Sequence, residues 1–249
     1  MDKSLAGKTV LITGANGGLG YKTANIFADK GANLILFDIA PSVNNLFKGL
    51  KERVLTYCGD ILSVSDLTNA VNLGVEKFGG IHFLVCCAGI FTTGSVSNIS
   101  EKDWNRIIDV NLTGVFFSCK TVLPVMLKQK YGRIVTVSSI FGQVASYKMA
   151  AYCAAKAGVI QLTRSIALDY VYQNIRANCI CPSIIRTKLI GENYDNLLNN
   201  QELIKLFSNL PQTILDTESV AKSILFLSTD EINGLNGTIL NIDGGYTAR

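Results

Sequence analysis

Thr9-Val10-Leu11-Ile12-Thr13-Gly14-Ala15-Asn16-Gly17-Gly18-Leu19-Gly20 runs from an unbroken apolar stretch through a glycine-rich turn into a helical pattern. An apolar run without polar alternation reads as a strand covered on both faces. Six further runs have the same character: Leu34–Phe37, Val54–Tyr57, Phe83–Cys87, Ile134–Val137, Ala177–Ile180 and Thr238–Ile242. Helix-like segments lie between them, near 18–30, 63–78, 101–130, 151–172 and 217–228. Strands that alternate with helices in this way must pair in parallel, because parallel neighbours need a crossover connection.

The expected fold is therefore α/β, a Rossmann-type doubly wound parallel β-sheet of about seven strands flanked by helices. No repeat, low-complexity linker or proline-rich break divides the 249 residues, so a single domain over 1–249 is expected. One segment departs from the pattern. The stretch 188–212 is polar and Asn-rich yet carries Leu197, Leu198, Leu203, Ile204 and Phe207 at helical spacing, which suits a lid over a substrate pocket.

Composition narrows the function. Apolar residues make up 48% of the chain, charged residues 17%, and the net charge is +4 with the cations scattered, so no nucleic-acid stripe stands out. The seven cysteines show no framework spacing, and the single histidine, His82, cannot complete a zinc pattern; no metal is expected, and reduced thiols point to the cytoplasm. The N-terminus has no apolar run before Lys8, and no stretch reads as a membrane span, so neither a signal peptide nor a membrane partner is expected.

The glycine turn suits a diphosphate, which needs close backbone approach and free N–H donors at a helix N-terminus. Gly14, Gly18 and Gly20 carry that role, with Asn16, Gly17 and Leu19 completing the cradle. Asp38 ends the second strand about twenty residues later, where a carboxylate accepts hydrogen bonds from the adenosine ribose. It would repel a 2′-phosphate, and no Arg or Lys stands in the glycine loop or directly after Asp38, so NAD is the expected cofactor. Asp60 and Ile61, after the third strand, would meet the adenine edge, or Asp60 would simply make a turn.

Tyr152-Cys153-Ala154-Ala155-Lys156 opens a long helix and sets a phenol and an ammonium on one face at i and i+4. A nearby cation favours tyrosinate and brings the phenol toward working range. Ser139 stands thirteen residues earlier at the carboxyl end of a strand, where its hydroxyl can hold a substrate oxygen.

The whole arrangement resembles the short-chain dehydrogenase/reductase family over nearly the full chain. The matching motifs are Thr13-Gly14-x-x-x-Gly18-x-Gly20, Tyr152-x-x-x-Lys156, Ser139 and the closing Leu240-Asn241-Ile242-Asp243-Gly244-Gly245. Asn111, within Val110-Asn111-Leu112-Thr113-Gly114, is similar to the fourth member of the family's catalytic set. The resemblance implies that Asn111 sits at a helix break and supports a proton relay, and that Lys156 also holds the nicotinamide ribose.

Two motifs differ from the family's. Cys86-Cys87-Ala88-Gly89 replaces Asn-Asn-Ala-Gly, which leaves Ala88 and Gly89 to line the cofactor. Pro182-Ser183 replaces Pro-Gly, which tests whether that turn needs positive φ; Ile185 and Thr187 would still meet the nicotinamide carboxamide.

The expected activity is NAD(H)-dependent interconversion of a secondary alcohol and its ketone. The expected partner is a small-molecule alcohol or ketone, in a pocket bounded by 140–147, 89–94 and the 188–212 lid. A 3-oxoacyl-[acyl-carrier-protein] reductase using NADPH and an inactive nucleotide sensor are the alternatives. The resemblance also implies a homo-oligomer, dimer or tetramer, built on the helices near 101–130 and 151–172.

Overall fold

The computed structural model describes residues 3–185, 214–232 and 234–248. The first half contains β1 (Thr9–Thr13), α1 (Gly18–Asp29), β2 (Asn33–Asp38), β3 (Val54–Cys58), α2 (Val64–Phe78), β4 (Phe83–Cys86), α3 (Glu101–Ile108) and α4 (Gly114–Gln129). The second half contains β5 (Gly132–Val137), α5 (Ala150–Asp169), β6 (Ile175–Pro182), β7 (Ile184–Ile185), β8 (Ile214–Leu215), α6 (Thr217–Ser228) and β9 (Ile239–Ile242). Seven strands form one parallel sheet in the order β3-β2-β1-β4-β5-β6-β9. The chain winds outward from β1 to β3, then restarts at β4 on the other side of β1. That reversal opens a crevice beyond the carboxyl ends of β1 and β4.

Both faces of the sheet are covered, which explains the unbroken apolar runs. Alternate residues of a strand point to opposite faces. Val10, Ile12, Leu34 and Leu36 pack with Ala24 and Phe27 of α1 and with Val220 and Ile224 of α6. Leu11, Ile35, Leu84 and Ile134 pack on the other face with Val71 of α2, Val122 and Met126 of α4, and Val159 and Ile160 of α5. Thr13 pairs with Phe37 on one side and Cys86 on the other, which lines up the exits of three strands.

Two expectations need correction. The segment 101–130 is not one regular helix: Asp109–Thr113 form a π-helical turn between α3 and α4. An apolar period continues through that turn, so hydrophobic spacing does not reveal it. The stretch Glu101–Gln129 is also, by length and composition, long and apolar enough to cross a membrane, contrary to the sequence expectation. Here Val115, Cys119, Val122 and Met126 cover the sheet, so core packing uses that apolarity. The question left open at Pro182-Ser183 is answered as well: Ser183 is not among the positive-φ residues, so the turn after β6 imposes no left-handed conformation on it.

Thr187 and the 188–212 segment lie outside the described residues. The chain departs and returns through one parallel pair, Ile184 with Ile214 and Ile185 with Leu215.

Candidate active site

Every described residue expected at the site lines one cleft of about 790 Å³ at the carboxyl ends of the strands. Gly14, Asn16, Gly17, Gly18, Leu19 and Gly20 form one end. Gly14 has φ +67°, and a Cβ there would stand 2.6 Å from the Ala88 backbone nitrogen. Glycine at 14 thus serves packing as well as approach, letting the β4 exit close against the turn. A Cβ on Gly20 would overlap the Gly14 carbonyl oxygen, so that glycine seats α1 on the turn.

Side-chain caps are found at three helix starts, and α1, like α4 and α5, lacks one. Ser63 caps α2, Ser100 caps α3 and Asp216 caps α6, each through a side-chain oxygen. Gly17 at the start of α1 offers no side-chain acceptor, and the first turn carries no acidic residue. An uncapped N-terminus facing a cleft presents N–H donors and the positive end of the helix dipole to an anion. These features fit the diphosphate of a dinucleotide.

The Asp38 carboxylate is held by the backbone, with Oδ2 accepting from the Asn16 N–H and Oδ1 from the Ala40 N–H, each at 2.9 Å. Asp60 makes a turn, its Oδ1 accepting from the Leu62 N–H at 2.9 Å, and it lines the cleft as well. Beside it Ile61, Leu62 and Val110 belong to an apolar cluster built on Phe37 and Leu67, a surface suited to a flat ring. Arg106 lines the cleft one helical turn before Val110, a cation that inspection of the glycine loop and the residues after Asp38 missed. Its spacing from Val110 is the one sequence signal that points to this wall.

Cys86 is buried in the core, whereas Cys87 and Ala88 line the cleft. Burial pushes the Cys87 thiol up to about 12, so it stays protonated.

At the other end, Asn111 occupies the π-helical turn and is fully buried. Its Oδ1 accepts from the Ile90 N–H at 3.2 Å, and its Nδ2 donates to the carbonyls of Ile90 and Ile107 at 2.9 and 3.1 Å. The carboxamide thus fastens the β4 exit to the helix break. Gly89 must be small here, because a Cβ would lie 2.9 Å from Asn111 Oδ1.

Ser139 follows β5 and lines the cleft together with Tyr152. Its Oγ accepts from the Phe141 N–H at 3.2 Å. Lys156 is only 5% exposed, and its Nζ donates to the Val137 carbonyl at 2.9 Å. That nitrogen lies 5.6 Å from the centroid of the Tyr152 ring.

The expected electrostatics need correction. Burial pushes the Tyr152 phenol up to about 12, and the Ser139 side chain only partly opposes it. Burial also pulls Lys156 down to about 8. Helical spacing places the two groups together, but desolvation sets their ionisation without cofactor. The phenol is held ready to donate a proton.

Lys156 therefore links stability to pH. Its ordinary value is 10.5 and its folded value about 8, so between these limits the unfolded chain binds more protons and stability rises with pH. Relative to Lys156→Met, the wild-type chain should gain a few kcal/mol from pH 8 to 10.5. Urea unfolding of both proteins checks this, and a constant difference would contradict the buried-amine assignment.

The pocket boundaries are partly revised. Gly89, Ile90, Phe91 and Phe141 line the cleft as expected, together with Met149, Ile184 and Ile185. Tyr147 instead faces solvent at 80% exposure.

A family model described as Enoyl-(Acyl carrier protein) reductase matches residues 14–247. The chain is 37% identical over 252 residues to Oxidoreductase UcpA of Escherichia coli (strain K12), covering 98% of this chain and 95% of that protein. It is 36% identical over 246 residues to 3-oxoacyl-[acyl-carrier-protein] reductase FabG of Thermotoga maritima, covering 97% and 98%. The solved structure titled "ElxO with NADP Bound" superimposes with a TM-score of 0.88 at 30% identity, covering 97% of this chain and 99% of that one.

Proposed function

The chain belongs to the short-chain dehydrogenase/reductase family, and from that premise we propose that it interconverts a secondary alcohol and its ketone using NAD(H). The observation that carries this reading is the convergence of Ser139, Tyr152 and Lys156 at one end of a cleft whose other end is an uncapped helix N-terminus. When bound, the nicotinamide cofactor supplies or accepts the hydride. Gly14, Gly18 and Gly20 would hold its diphosphate, Asp38 its adenosine ribose, Lys156 its nicotinamide ribose, and Pro182 and Ile185 its carboxamide end.

In reduction, the Ser139 hydroxyl orients the substrate oxygen and the Tyr152 phenol gives it a proton. In oxidation, Tyr152 takes the proton from the alcohol. The raised phenol suits the first role directly, and the second requires positive charge nearby to favour tyrosinate. Lys156 is the side-chain cation at that end of the cleft among the described residues. Orientation and proton transfer are the protein's contribution to rate.

Asp38 supports NAD(H), because a fixed carboxylate beside a 2′-phosphate is a like-charge contact. A second reading, an NADPH-dependent 3-oxoacyl-thioester reductase, draws on the likeness to FabG and on Arg106 in the cleft wall. Paired titration with NADH and NADPH separates them, and tighter NADH binding is expected. Asp38→Asn keeps an acceptor oxygen for one of the two backbone contacts and removes the charge, so it should shift the affinity ratio toward NADPH by about tenfold to a hundredfold. Tighter NADPH binding by the wild-type protein would put the thioester reductase first.

A further inference from the structure

The substrate end of the cleft is walled by hydrocarbon. Phe141 and Met149 are 6% and 5% exposed, and they pack in one cluster with Phe91, Tyr152 and Ile184. Phe91 meets the Tyr152 ring edge-on, with centroids 5.2 Å apart and planes at 82°. Backbone contacts hold it there. Gly94 bridges to Met149 in parallel register, and the Gly94 N–H donates to the Lys148 carbonyl at 2.6 Å. The loop leaving Gly89 is thereby fastened to the start of α5, the helix that carries Tyr152.

The polar side chains at this end are already engaged. Ser138 Oγ donates to the Lys156 carbonyl at 2.7 Å, and Lys156 Nζ donates to the Val137 carbonyl. Ser183 is buried at 7% exposure. Ser139 and Tyr152 serve the reacting oxygen. Among the described residues that line this end of the cleft, no further side-chain donor or acceptor stands ready for a second substrate hydroxyl; the unpartnered Ser146 Oγ lies outside that lining.

We infer, on the reading that Tyr152 handles the reacting oxygen, that the substrate is an apolar ketone or alcohol whose ring or hydrocarbon chain rests on Phe91, Phe141, Met149 and Ile184. Phe91 is the residue that sets this preference, because it joins the apolar wall to the reacting phenol. A polyol or sugar would leave its extra hydroxyls unpaired against this wall, which disfavours it.

The test compares kcat/KM for cyclohexanone and D-fructose with NADH. Wild type should favour cyclohexanone by about a hundredfold or more. Phe91→Ser should reduce that ratio by about tenfold, whereas Phe91→Leu should preserve it. Preference for D-fructose, or a ratio unmoved by Phe91→Ser, overturns the inference. Tyr152→Phe in the same assay tests the underlying reading separately: lost turnover upholds it, and wild-type turnover would bring it down whatever the substrate ratio.

Discussion

Replacing Tyr152 with Phe is expected to cut turnover by about a thousandfold while leaving NADH affinity nearly unchanged. The substitution removes one oxygen and retains the ring, so the edge-on contact with Phe91 at 5.2 Å survives. Ser139 still accepts from the Phe141 N–H. The glycine turn, Asp38 and Lys156 remain as donors and acceptors for the nucleotide. Only the transferable proton disappears. Fluorescence titration with NADH and steady-state rates on one protein preparation separate the two effects. Equal losses in binding and turnover would mean that Tyr152 supports the site rather than reacting in it.

The second large effect is structural. Gly14→Ala should destabilise the fold by about 2–5 kcal/mol, with loss of nucleotide binding. Two costs combine at this position. The residue has φ +67°, where a side chain adds about 1–2 kcal/mol. The new Cβ would also sit 2.6 Å from the Ala88 nitrogen and 2.7 Å from its Cα, and backbone atoms cannot rotate away. Gly79→Ala is the control, because Gly79 has φ +81° with nothing within 4 Å of the added Cβ. It should show the dihedral cost alone, about 1–2 kcal/mol. Urea unfolding midpoints measure both. Equal effects at the two positions would show that the contact with Ala88 costs nothing.

These two residues also mark how far the sequence is readable. The strands are legible because burial on both faces leaves no polar alternation, as in Leu34–Phe37, where all four residues are 0% exposed. The glycine turn is legible because its dihedral and contact demands, at Gly14 and Gly20, fall within one short stretch between a strand and a helix. The π-helical turn at Asn111 is not, since the apolar period of 101–130 runs through it unbroken. Its position was expected only from family resemblance.

Spacing paired Tyr152 with Lys156 but carried no sign of the desolvation around them. Adjacency at i and i+4 is a local property, whereas the desolvation that raises the phenol and lowers the amine comes from the sheet and the helices around them. Arg106 and the Phe91 contact lie outside the motifs for the same reason. Each enters the cleft through tertiary packing, Arg106 from the helix wall above Val110 and Phe91 through the Gly94–Met149 bridge.

Deuterium transfer tests the central claim most directly. Purified protein is incubated with cyclohexanone and NADH deuterated at the transferable C4 position, and the product is analysed by mass spectrometry. The predicted result is cyclohexanol carrying deuterium at the carbinol carbon with wild type, and no detectable product with Tyr152→Phe over the same interval. Product without deuterium, or labelled product formed equally fast by the Tyr152→Phe protein, would contradict the account.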